Sequence, residues 1–253
     1  MTDSVGWLRR FHPAAPGAPR LVCFPHAGGA ASYFHPLSAT LAPAVDVLAV
    51  QYPGRQDRHA EPLVDDLFLL ADRLADVLAA EGAGPVAFFG HSMGASLAFE
   101  VARRLETGLL GLFVSARRAP SASRVGRVHE RGDDELLADV RQLGGTDVRV
   151  LEHPQLVRMV LPVLRNDYKA AEAYRYRPGP DVGCPVFALI GDRDPTVTEA
   201  EAGRWAAHTS GRFELKSFPG GHFYLNDHLG EVSRLLGERL TGREGEPLAS
   251  GQQ

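Results

Sequence analysis

The sequence predicts an α/β fold, a mostly parallel β-sheet flanked by helices. Three observations carry that expectation. Short apolar runs alternate with helical apolar patterns through most of the 253 residues, which is how a chain builds a parallel sheet covered by crossover helices. Gly90-His91-Ser92-Met93-Gly94 lies between an apolar run and a helical pattern. That is the context of a sharp strand-to-helix turn that lifts a serine hydroxyl clear of the backbone. The stretch from Ser115 to Cys184 is far longer than a crossover unit of roughly 30 residues. It predicts an insertion over the carboxyl edge of the sheet, where ligands bind in such folds.

Taken in order, Gly6–His12 reads as an antiparallel edge strand. Leu21–Phe24, Val45–Tyr52, Val86–Phe89, Leu110–Ser115, Val186–Ile190 and Phe213–Phe218 read as the remaining strands. The run Pro85-Val86-Ala87-Phe88-Phe89 has the unbroken apolar character of a strand buried on both faces. Helices are predicted over Phe34–Leu41, Val64–Ala80, Ala95–Leu105, Glu199–Thr209 and Gly230–Leu240. In the second of these, Leu67, Leu70, Leu74, Val77 and Leu78 fall on one face. The third ends near the pair Arg103-Arg104, where a helix C-terminus favours positive charge. The insertion has helical stretches near Asp133–Gln142 and Gln155–Tyr174, and the tail from Thr241 to Gln253 is rich in Gly, Glu, Ser and Gln. Such a tail is expected to be disordered.

Composition narrows the function class. The chain is 44% hydrophobic and 23% charged, with a net charge of −4, so no nucleic-acid partner is expected. Cys23 and Cys184 are the two cysteines; they form no disulfide framework and read as packed thiols. No apolar stretch approaches the roughly 18 residues of a membrane span. Arg9 and Arg10 precede no apolar segment of secretory type. A cytoplasmic location without membrane contact is therefore expected. His-Glu-x-x-His, clustered Cys/His ligands and a phosphate-cradling glycine loop are all missing from the sequence, so neither metal nor cofactor is expected.

If Ser92 is a nucleophile, an acid and a base must follow it in the order Ser, Asp or Glu, His. His222 lies in Phe218-Pro219-Gly220-Gly221-His222-Phe223, just past the last strand. Its glycine pair lets the loop bring an imidazole to the sheet edge as general base and then general acid. Two aspartates compete in Gly191-Asp192-Arg193-Asp194-Pro195. Asp194 sits deeper in the loop and is the favoured partner of His222, whereas Asp192 at the strand end suits a turn role. One oxyanion donor is expected from the backbone N–H of Met93, after the nucleophile. The other is expected from Ala27, in the glycine-containing loop Phe24-Pro25-His26-Ala27-Gly28-Gly29.

These residues resemble a known family, the discrete type II thioesterases that accompany modular polyketide and non-ribosomal peptide synthases. The resemblance spans roughly residues 7 to 240. It rests on the two loops above together with Tyr52-Pro53-Gly54-Arg55, Gly90-His91-Ser92-Met93-Gly94, Arg118-Ala119-Pro120, Leu161-Pro162, Leu164-Arg165-Asn166-Asp167 and Gly220-Gly221-His222-Phe223. It implies the α/β-hydrolase fold, with one domain over residues 1–240. A helical lid, here at about 117–180, would follow the sixth core strand. It implies a triad of Ser92, Asp194 and His222, with oxyanion donors at Ala27 and Met93. The implied activity is hydrolysis of stalled or aberrant acyl groups from the phosphopantetheine arm of acyl or peptidyl carrier proteins, by a monomer without cofactor.

One feature bears on the partner separately. Arg117, Arg118, Arg124, Arg127 and Arg131 stand against one acid, Glu130, between residues 117 and 131. A basic rim there would steer an acidic carrier protein, with Arg124 and Arg127 as docking candidates. Solvated arginines with one structural ion pair at Arg118 would give the same sequence. A small-molecule carboxylesterase or lipase, and a non-catalytic binding protein of the same fold, are the competing functions.

Overall fold

In a computed structural model, the described residues are 6–242 apart from 83, 106–107, 123, 125 and 146–151. The expected tail lies outside them beyond residue 242. The strands are β1 (Leu8–Arg9), β2 (Arg20–Phe24), β3 (Asp46–Val50), β4 (Val86–His91), β5 (Gly111–Ser115), β6 (Val186–Gly191) and β7 (Phe213–Phe218). They form one sheet in the order β1-β3-β2-β4-β5-β6-β7. Only β1 is antiparallel, pairing Leu8 with Val50. The chain moves from β2 outward to β3 and then returns to place β4 on the other side of β2. The order therefore reverses between β2 and β4, the point in such sheets where a crevice opens for ligands.

The helices among the described residues are α1 (His35–Leu41), α2 (Leu67–Ala80), α3 (Met93–Ala102), α4 (Asp133–Leu143), α5 (Pro154–Ala173), α6 (Glu199–Gly203), α7 (Tyr224–Asp227) and α8 (Leu229–Thr241). Because successive strand side chains point to opposite faces, the central strands feed two cores. Val22, Phe24, Phe88, Leu112 and Val114 pack with α2 and α3 on one face. Leu21, Cys23, Ala87, Phe89 and Phe113 pack with α1 and α8 on the other. All ten residues of α3 are buried, so the helix behind Ser92 is held on every side. Asp66 caps α2, its side chain accepting from the N–H groups of Phe68 and Leu69, which starts that helix later than the expected Val64.

The insertion joins β5 to β6 and therefore follows the fifth strand of this sheet, not the sixth. Among the described residues the N-terminal segment contributes a single two-residue edge strand, and β2 to β5 follow it before the insertion departs. Its helices α4 and α5 share a small core of Leu136, Leu137, Val140 and Leu164, and the face of α5 that continues through Asp167 and Ala170 is buried.

Candidate active site

Ser92 makes the turn from β4 to α3 alone, at φ 55° and ψ −117°. An L-residue adopts such a conformation at a cost of roughly 1–3 kcal/mol, and surrounding contacts must hold it there. Its N–H donates to the carbonyl of Ser115 at 2.8 Å. The turn closes only because the residues two positions to either side, Gly90 and Gly94, have no side chains. A Cβ on Gly94 would lie 2.0 Å from the Phe24 carbonyl oxygen, and one on Gly90 would lie 2.3 Å from the Gly94 carbonyl oxygen.

Two further loops converge on this turn. Those after β6 and β7 are bound by three bonds of 2.8 Å: Asp192 N–H to Phe218 O, Arg193 N–H to Gly220 O, and Gly220 N–H to Asp192 Oδ1. Asp192 thus takes the turn role. His222 lies with Nε2 2.9 Å from Ser92 Oγ and Nδ1 2.8 Å from Asp194 Oδ2. Asp194 is also fixed by the N–H and hydroxyl of Thr196, each donating to Oδ1 at 2.8 Å. A proton on Nδ1 donated to Asp194 leaves Nε2 free to accept the Ser92 hydroxyl proton. Both His222 and Asp194 are buried, at 4% and 8% exposure, so water competes little for either bond.

Ala27 and Met93 line the same cavity beside Ser92. As the first residue of α3, Met93 has an N–H with no intrahelical acceptor, and it sits at the positive end of the helix. The loop carrying Ala27 is fixed by residues from other elements. The Tyr52 hydroxyl donates to Pro25 O at 3.0 Å, and Arg55 NH1 donates to Gly29 O at 3.1 Å. Asp167, from α5, accepts the Gly28 N–H at 2.8 Å. Sequence reasoning assigned Arg55 and Asp167 no role of their own. The available signal was an aspartate on the buried face of α5, between Leu164 and Ala170, where a charge survives only if paired.

The site opens into a cavity of about 560 Å³ between the sheet edge and the insertion. Arg117 and Arg118 line it, as does Arg124. The acids that face this arginine cluster come largely from elsewhere in the chain. Arg124 pairs with Glu201 and Arg131 with Asp139, while Arg127 meets Glu130 at 3.8 Å. Among the described residues Arg118 makes no ion pair; it donates to the Thr196 carbonyl. Arg127 remains 77% exposed by side chain and Arg124 62%.

His26 also lines the cavity but meets none of the reacting groups; it packs edge-on against Tyr33 and Phe223. Burial, with a smaller contribution from His222, pushes its imidazole down to about 3, and its Nδ1 has no partner among the described residues. His91 is buried under the turn, with Nδ1 2.9 Å from Ser115 Oγ, and burial keeps it well below the usual histidine range.

Residues 19–240 match the family model for the thioesterase domain. The chain is 52% identical to a thioesterase of Streptomyces venezuelae, PikA5, over 98% of this chain and 90% of that one. Its fold superimposes with a TM-score of 0.88 on the type II thioesterase BorB from the borrelidin biosynthetic cluster, at 54% identity, covering 95% of this chain and 99% of that one. RedJ, a thioesterase from the prodiginine pathway of Streptomyces coelicolor, superimposes at 0.84 with 38% identity, covering 90% and 94% of the two chains. Nucleophile turn, sheet order, insertion and family match agree, and the chain belongs to the thioesterase family of the α/β-hydrolase superfamily, as a type II thioesterase.

Proposed function

We propose that the protein hydrolyses acyl thioesters from the phosphopantetheine arm of carrier proteins, clearing stalled or aberrant acyl groups from a polyketide or non-ribosomal peptide synthase. The observation that carries this reading is the unbroken Ser92–His222–Asp194 hydrogen-bond chain at the mouth of a cavity roofed by the insertion. In a thioesterase, that chain has a direct mechanism. His222 Nε2 takes the Ser92 proton as Oγ attacks the thioester carbonyl carbon. The N–H groups of Ala27 and Met93 hold the oxyanion. Collapse breaks the C–S bond, the departing sulfur takes the proton from His222, and Ser92 is left acylated. Water then attacks the ester with His222 as base, releasing a carboxylic acid and restoring Ser92. Asp194 holds the imidazole in its tautomer and stabilises the imidazolium.

The insertion, about residues 117–180, serves in this reading as the lid over the acyl chamber. The exposed Arg124 and Arg127 form part of a basic rim that receives an acidic carrier protein, and the enzyme acts as a cytoplasmic monomer. The test compares acyl-loaded carrier protein with a p-nitrophenyl ester of the same acid. Faster turnover of the carrier thioester supports the reading; a clear preference for the free ester points to a carboxylesterase. Reversing both rim arginines to glutamate is expected to slow hydrolysis on the carrier and spare a small acyl-thiol mimic. Equal loss on both substrates removes the rim from the account.

A further inference from the structure

Among the described residues, Arg117 is a cavity-lining cation that pairs with no acid and is only partly exposed. Ala116, at φ 51°, turns the chain sharply off the end of β5, and the indole N–H of Trp205 holds the Arg117 carbonyl at 2.9 Å. The side chain is thereby directed inward rather than onto the rim. Its Nε donates to Ser96 Oγ at 2.8 Å, and one terminal nitrogen reaches the Ala171 carbonyl at 3.5 Å. Its remaining N–H groups have no protein acceptor among the described residues, and no carboxylate pairs with it. Burial and the neighbouring Arg118 lower it to about 10, so it stays charged at neutral pH. Arg117 is only partly exposed, and a guanidinium partly withdrawn from bulk water without an anion favours an acceptor that enters beside it.

Its position says what that acceptor is. Ser96 lies four residues beyond Ser92, hence about 6 Å deeper along the axis of α3. An acyl chain attached at Ser92 and extending into the cavity would pass the guanidinium within its first few carbons. We propose that Arg117 is a specificity-determining residue that binds an oxygen acceptor on the acyl group close to the thioester, so that oxygenated acyl chains are favoured over plain alkyl chains of the same length. The inference rests on the reading that Ser92 is acylated in this cavity. A carboxylate and a neutral hydroxyl or carbonyl oxygen share the required acceptor chemistry.

The experiment measures kcat/KM for three N-acetylcysteamine thioesters of equal chain length, butyryl, β-hydroxybutyryl and succinyl, in the wild-type protein and in Arg117→Met and Arg117→Gln. Unfolding midpoints are recorded for each protein. A charge-assisted hydrogen bond predicts that the wild type prefers at least one oxygenated substrate over butyryl by about tenfold or more. That preference is expected to fall to near one in both variants while butyryl turnover changes little. Succinyl as the favoured substrate identifies a carboxylate acceptor, and β-hydroxybutyryl identifies a neutral oxygen. A wild type that handles butyryl as well as both others overturns the proposal without any variant being folded. A preference that persists in Arg117→Met, or loss of all three substrates in parallel, overturns it as well. Inactivity of the wild type on every thioester would instead remove the Ser92 reading, and this inference with it.

Discussion

The Arg55 guanidinium and the Asp167 carboxylate form a buried two-point ion pair, NH1 to Oδ2 at 2.5 Å and NH2 to Oδ1 at 2.9 Å. The same carboxylate accepts the Gly28 N–H, and the same guanidinium donates to the Gly29 carbonyl. The insertion helix α5 is thus tied to the loop that carries Ala27. Removing one partner strands the other as a buried charge, which typically costs about 3–5 kcal/mol. Asp167→Ala and Arg55→Ala are each expected to lose stability on that scale in urea unfolding. The pair Arg55→Met with Asp167→Leu, which removes both charges, is expected to lose less than the sum of the single changes. At temperatures where Asp167→Ala is still folded, displacement of the loop carrying Ala27, the proposed oxyanion donor, predicts a fall in kcat of about 10²-fold.

Asp194→Asn tests how His222 is held. An amide in place of the carboxylate can donate to Nδ1 and so favour the tautomer that cannot accept the Ser92 proton. The expected loss is about 10⁴ in kcat, with KM little changed, as for other triads altered in this way. Steady-state kinetics on an acyl-thiol mimic checks it. A loss below tenfold would mean that Asp194 does not orient the base.

Acid should destabilise the fold through its buried histidines. Burial holds His26 near 3 and His91 well below 6.5 in the folded state, while the unfolded chain has ordinary imidazoles near 6.5. Between those values the unfolded state binds more protons, so stability rises with pH across the interval and is lost as pH falls through it. Urea unfolding at pH 7, 5.5 and 4.5 is expected to show a steady loss, and His26→Gln is expected to flatten it. An unchanged slope in that variant would contradict the assignment.

Gly94→Ala probes the nucleophile turn. With a Cβ placed 2.0 Å from the Phe24 carbonyl oxygen, either α3 or β2 has to move, and both are buried. The variant is expected to be strongly destabilised or to fail to fold. Circular dichroism and thermal unfolding read this directly. Gly203→Ala, where an added Cβ meets nothing within 4 Å, is the matched control and is expected to stay close to wild type.

Much of the framework was legible from local pattern. The strands, the helix after Ser92 and the placement of His222 past β7 depend on apolar periodicity and turn residues, which local sequence carries. Which aspartate reaches His222 and which binds the loop backbone was separable for the same reason, since position along one loop decides reach. The Arg55–Asp167 tie was not legible as a pair, because its partners are 112 residues apart and only the fold brings α5 over the Gly28 loop. The surroundings of the arginine run were not legible for a related reason. Counted along the chain it faces one acid, whereas in space Glu201 and Asp139 meet Arg124 and Arg131, and Arg117 turns into the cavity. The strand after which the insertion leaves depended on how many strands the N-terminal segment contributes, which apolar content alone does not fix.

The proposed mechanism requires Ser92 to take the acyl group from a carrier-bound thioester. The most direct measurement mixes the protein with acyl-loaded carrier protein, quenches in acid within milliseconds to seconds, and reads intact and peptide masses. A transient adduct of the acyl mass is expected on the peptide containing Ser92, decaying as free acid appears, with no adduct and no loss of acyl carrier in Ser92→Ala. An adduct on another residue, or undiminished release of the acyl group by Ser92→Ala, would contradict it.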